Sequence, residues 1–149
     1  MAGAEAVSAR YAIGVGGRRG VDAIALAALA RDAAARCGVV VEGSAVAALL
    51  GREDEAEFRA AADLLGARLV LLPLEILRMR DAQLFTRSPR IEAMFGVGSL
   101  VEALALAAAG EGSRLLAPRL ATERLACAIA RSRCVQAGQP ERSVIDSRN

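Results

Sequence analysis

Tyr11-Ala-Ile-Gly-Val-Gly-Gly-Arg-Arg-Gly20 decides the fold of this chain. A short β-prone apolar run ends in four glycines that flank two adjacent arginines, and an apolar-periodic stretch begins directly after Gly20. The pattern is a strand feeding a helix through a loop whose backbone can approach a ligand closely. Glycine permits the tight or left-handed conformations such a loop needs, a helix N-terminus offers unpaired N–H groups and a positive dipole end, and Arg18 and Arg19 add forked donors suited to carboxylate or phosphate. The loop reads as an anion site. As a dinucleotide fingerprint it fails by one residue: Gly14 and Gly16 fit GxGxxG, but the third position falls on Arg19. A Walker A loop needs a lysine, and the chain has none.

Working outward, strands alternate with helices. Tyr11 to Val15 is the first strand; Asp22 caps a helix that carries Ile24, Leu26, Leu29 and Ala33 on its apolar spacing and stops at Gly38. A strand follows near Val46 to Leu49. Glu53 to Leu65 is a helix that is acidic in its first turn and apolar at Phe58, Ala61, Ala62 and Leu65. Leu69 to Leu72 is a strand closed by Pro73, Leu74 to Arg80 a short helix, and Asp81 to Arg87 a loop. Ser88-Pro89 starts a helix through Met94, and Ser99 caps another through Ala109. Leu115 to Ala117 and Ala126 to Ala130 are short strands. The expected fold is therefore α/β, a single-domain three-layer α/β/α sandwich with a mostly parallel sheet. It spans residues 11–131, between an N-terminal tail (1–10) and a disordered tail (132–149) poor in apolar residues.

Composition excludes several functions. At 149 residues the chain matches one domain able to bury its own core. Thirty-four alanines and an all-arginine basic set read as coding preference. A net charge of +2, with three Phe and one Tyr, argues against nucleic-acid binding. Cys37, Cys127 and Cys134 form no CxxC pair and read as reduced, mostly buried thiols of a cytoplasmic protein. MAGAEAVSAR carries no basic n-region and no apolar h-region, and no segment runs 18 apolar residues without charge, so neither a secretory signal nor a membrane span is expected. Histidine is absent. This removes Ser-His and Cys-His nucleophile pairs and most zinc sites, and neither a metal site nor a cofactor is read from the chain.

Four ordered blocks carry a resemblance: YAIGVGGRRG at 11–20, ALLGREDEAEF at 48–58, TRSPRIEAMFGVGSLVEALAL at 86–106 and LLAPRLATERLACAIAR at 115–131. Together they resemble the CobE / CbiG C-terminal domain family of cobalamin biosynthesis. The resemblance implies a three-layer α/β domain that occurs either alone or fused into an enzyme that opens the lactone ring of a cobalt-precorrin; this chain is similar to the standalone kind. In the first block Gly14, Gly16, Arg18 and Gly20 match the family pattern, while Gly17 stands where a cysteine is common. Arg52, with Asp54 and Glu55, takes the place of a lysine before acids, and Ala48 that of a threonine. Ser88, Gly96, Val97, Ser99 and Glu102 are kept. Arg119 replaces a lysine and Ala126 a threonine, leaving Thr122 as the nearby hydroxyl.

Two hydroxyls and a thiol are thus lost while every basic position persists as arginine. A corrinoid precursor is a large, partly apolar macrocycle fringed with carboxylates, so its site needs cations spread around a concave apolar surface. The expected substrate-binding set is Gly14, Gly16, Gly17, Arg18, Arg19, Arg52, Ser88, Gly96, Ser99 and Arg119, at strand ends. Glu102 and Asp54 are the candidate acids or bases, although Glu102 also fits a capping box closed on Ser99. Met79, Met94 and Phe95 read as core. The expected function is binding of a polycarboxylated precorrin or corrinoid intermediate. The alternatives are a lactone-hydrolase activity, with Glu102 or Asp54 as acid/base, and a small nucleotide-binding protein using the first loop. Other enzymes of the pathway are the implied partners, and alanine-rich helix faces make a homodimer unsurprising.

Overall fold

A computed structural model describes residues 10–133. It contains β1 (Tyr11–Gly17), α1 (Ala23–Cys37), β2 (Ala45–Leu49), α2 (Glu55–Leu65), β3 (Arg68–Leu72) and α3 (Leu74–Arg78). A single 3-10 turn at Asp81–Gln83 leads to α4 (Pro89–Phe95), α5 (Leu100–Ala109), β4 (Arg114–Leu115), β5 (Leu120–Ala121) and β6 (Leu125–Arg131). The sheet order is β3-β2-β1-β6-β4, with β5 also paired to β6. Half of this sheet is parallel: β1 pairs with β2, and β2 with β3. The other half is antiparallel, since β6 runs against β1, β4 and β5. The sheet is therefore mixed. β5, two residues long, went unread in the sequence because so short a strand has no periodicity to show.

Three layers form because the strands alternate. Ile13 and Val15 of β1, Val46 and Ala48 of β2, and Cys127 and Ile129 of β6 point to one face, where Leu26 and Ala30 of α1 and Phe58 and Leu65 of α2 complete a core. Ala47, Ala128 and Ala130 point to the other face, under α5 and Leu77 of α3. Residues Leu100 to Leu106 of α5 are all buried, so this helix is enclosed on every side and not amphipathic, with Glu102 as its one charged side chain. Gly14 lets it approach: a Cβ there would overlap Val101 O and lie 2.8 Å from Ala105 N. The alanines thus have a physical role on this side, filling a tight helix–sheet interface with side chains of low volume.

Several caps stand where the sequence puts them. Asp22 Oδ1 accepts from Ile24 N at 3.0 Å, Ser88 Oγ from Ile91 N at 3.3 Å and Ser99 Oγ from Glu102 N at 3.4 Å. Gly96 ends α4 at φ 80° and lets the chain turn to the Ser99 cap. Three side chains differ from expectation: Ile24 is 73% exposed, Met79 81% and Met94 57%. No single helix among the described residues is long and apolar enough to cross a membrane. Of the two expected tails only Arg10, Ser132 and Arg133 are described; Ser132 is buried and its N–H donates to Arg10 O.

Candidate anion-binding cleft

At the carboxyl ends of β1 and β2, and the amino end of β6, the loops enclose a cleft of about 750 Å³. This is where open α/β sheets place ligands. Six arginines line it, Arg18, Arg19, Arg52, Arg90, Arg119 and Arg124, against three acids, Glu53, Asp54 and Glu123. Ile91, Met94 and Phe95 of α4, with Leu100 and Val101 of α5, supply an apolar wall.

Of the expected binding residues, Gly17, Arg18, Arg19, Arg52, Ser88 and Arg119 come together here. Gly14, Gly16, Gly96 and Ser99 do not line the cleft. The reason lies in β1, which runs on through Gly17, so that Gly14 and Gly16 are strand residues packed on α5. Ser99 is fully buried as a cap and Gly96 is a helix stop. The start of α1 takes no part either: Ala23 N donates to Glu57 Oε1 and Ile24 N to Asp22 Oδ1, which occupies two of its free donors. Arg90, Arg124 and Glu123 went unnamed in the sequence reading, and Met94 and Phe95, read there as core, form its wall. The sequence signal for Arg90 is its place two residues after the capping Ser88, in the first turn of α4.

The arginines differ in how free they are. Arg52 is fixed: it donates to Gly17 O at 2.8 Å, pairs closely with Asp54, and its guanidinium sits 5.3 Å from the Phe58 ring centroid. Arg19 meets Glu53 at 3.6 Å, but both side chains are exposed and such a pair is weak. Arg124 ties the β5–β6 turn to the first loop, donating to Arg19 O at 2.7 Å while its own carbonyl accepts from Arg18 N at 2.9 Å. Thr122 Oγ1 is spent on the same turn, accepting from Leu125 N at 3.0 Å. Among the described residues the guanidinium groups of Arg18, Arg90 and Arg119 meet no carboxylate.

The candidate acids are both engaged. Glu102 does not close a capping box on Ser99. Its Oε1 accepts from Phe85 N at 2.8 Å and Thr86 N at 2.9 Å, and its Oε2 from Thr86 Oγ1 at 2.7 Å and Arg119 N at 2.9 Å. It is 0% exposed and outside the cleft, so it serves as a buried clamp between two loops. Asp54 lines the cleft but is held by Arg52. Gly17 is also closed to a larger side chain, because a Cβ there would lie 2.5 Å from Arg124 O.

The comparisons agree with this architecture. Residues 11–130 match the family described as Cobalamin synthesis G C-terminus. The chain belongs to that family. It is a cobalamin-biosynthesis protein of the CobE / CbiG C-terminal type, and two solved structures support the assignment. CobE, described as a protein from the cobalamin (vitamin B12) biosynthetic pathway, is 31% identical, with a TM-score of 0.76 over 82% of this chain and 89% of that one. The cobalamin biosynthesis protein chiG from Agrobacterium tumefaciens str. C58 is 32% identical, with a TM-score of 0.66 over 83% and 98%. No curated protein matches the chain. Within the family assignment, the cleft at the strand ends is the feature that remains to be given a ligand.

Proposed function

We propose that this family member acts in the cytoplasm as a binding module, holding a polycarboxylated precorrin or corrinoid intermediate in the arginine-lined cleft. The observation that carries the reading is the pairing of an apolar wall on α4 and α5 with guanidinium groups at Arg18, Arg90 and Arg119 that have no internal carboxylate. A flat macrocycle lies on Ile91, Met94 and Phe95, and its acidic fringe takes the arginines as forked, charge-assisted donors. Arg52 and Arg124 hold the first loop, which carries Arg18 and Arg19.

The hydrolase reading has less support. An acid/base must be free to take and return a proton, yet Glu102 accepts four hydrogen bonds away from the cleft and Asp54 is ion-paired. The nucleotide reading loses its anchor with the occupied start of α1.

Absorbance titration with hydrogenobyrinic acid, a metal-free polycarboxylate corrinoid, tests the proposal. Saturable binding is expected, weakened at least about tenfold in an Arg18→Ala, Arg119→Ala double variant. Equal affinity in parent and variant would remove the assigned site. Incubation with the lactone-bearing precorrin, followed by mass spectrometry, should show no ring opening by this protein alone.

A further inference from the structure

β6 reaches a second arginine-lined concavity at its other end. Leu125 borders the first cleft, and Arg131, six residues on and so about 20 Å away along an extended strand, borders a cavity of about 420 Å³. Gln83, Phe85, Leu106, Arg114, Leu115 and Arg131 line it. Arg114 and Arg131 stand directly opposite each other across the antiparallel β4–β6 pair. Like charges in that register repel. Among the described residues neither guanidinium meets a carboxylate, and the buried Nε of Arg131 meets no acceptor. Glu111, three residues before Arg114, makes no ion pair with either.

A buried donor without an acceptor is rare in folded proteins and marks a place for an unassigned partner. Two opposed arginines beside it specify that the partner is an anion, and their forked donors suit a carboxylate or a phosphate. Gln83 contributes a further donor: its Oε1 accepts from Arg80 at 3.2 Å, which leaves its amide N–H groups for a ligand. Phe85, 58% exposed, with Leu106 and Leu115 forms an apolar flank beside these donors. Among the described residues β4 is the last strand on this side of the sheet.

We propose that this concavity is a second anion site, separate from the first cleft, which takes a small molecule bearing a carboxylate or phosphate and an apolar body that rests on Phe85. The proposal stands on Arg114, Arg131 and the cavity, and is independent of which ligand fills the first cleft.

Side-chain Nε–Hε NMR signals of the arginines, followed while the full chain is titrated with inorganic phosphate and then with benzoate, test it. Both probes should shift the Arg114 and Arg131 signals saturably, and benzoate should also shift the Phe85 ring. The response should persist in an Arg18→Ala, Arg119→Ala variant and weaken at least tenfold in Arg131→Leu. Arg114→Ala, at an exposed position, supplies the same test should Arg131→Leu not fold. No saturable response at Arg114 and Arg131, or one abolished by the cleft variant, would overturn the site. A response to phosphate with none to benzoate would overturn its apolar half.

Discussion

Glu102 shows what a sequence can and cannot reveal about one residue. The Ser99-x-x-Glu102 spacing predicts a capping box, and half of it forms: Ser99 Oγ accepts from Glu102 N. The carboxylate turns elsewhere, to Phe85, Thr86 and Arg119, because unpaired backbone donors of two loops converge on it and a buried carboxylate needs several donors. Those donors lie 16 or 17 residues away, and no local pattern records them. Glu102→Gln should therefore lower stability by at least about 2 kcal/mol in urea unfolding, since an amide NH2 would face N–H donors where an oxygen stood. Unchanged stability would contradict the clamp. Gly17 teaches the converse: its identity was legible, but its cause, the Arg124 carbonyl against it, appears only in three dimensions.

Among elements, the caps were legible and the lengths of short pieces were not. Asp22, Ser88, Ser99, Gly38 and Gly66 sit at helix ends because their chemistry acts locally. β1 extends two residues past its expected end because pairing with β6 through Gly17–Leu125 supplies ladder bonds that glycine propensity alone opposes. The segment read as a loop over Asp81 to Arg87 is held by Asp81, which accepts from Gly98 N at 2.9 Å and from Arg87 Nη2 at 2.9 and 3.0 Å. The Gly98 N–H and then Arg87 hold the Asp81 carboxyl below its ordinary value of 3.8. A carboxylate with a lowered folded pKa stabilises the fold above its unfolded value, and this contribution disappears as pH falls through the folded value. The stability gap between parent and Asp81→Asn should thus be constant above about pH 5 and close below about pH 4 in acid unfolding. A gap that widens on acidification would refute the clasp.

For the whole molecule, alternation of strands and helices was enough to predict three layers, yet not the mixed sheet, because strand direction at β6 depends on which edge the chain returns to. The cleft was half legible: arginines at strand ends carried it, whereas the wall of α4 did not stand out from core residues by type. Core burial has a chemical consequence at Cys127. Burial first, and then Asp32 and Cys37, push its thiol up to about 12. Iodoacetamide at pH 8 should leave Cys127 unmodified in the native protein and label it only after unfolding, as peptide mass spectrometry would show; rapid native labelling would mean an open core.

The central claim concerns the cleft at the carboxyl ends of β1 and β2. A co-crystal structure with hydrogenobyrinic acid tests it most directly. The macrocycle should lie against Ile91, Met94 and Phe95, with its carboxylates within hydrogen-bond distance of Arg18, Arg90 and Arg119. A ring bound outside this cleft, or inside it with none of these arginines on a carboxylate, would contradict the account.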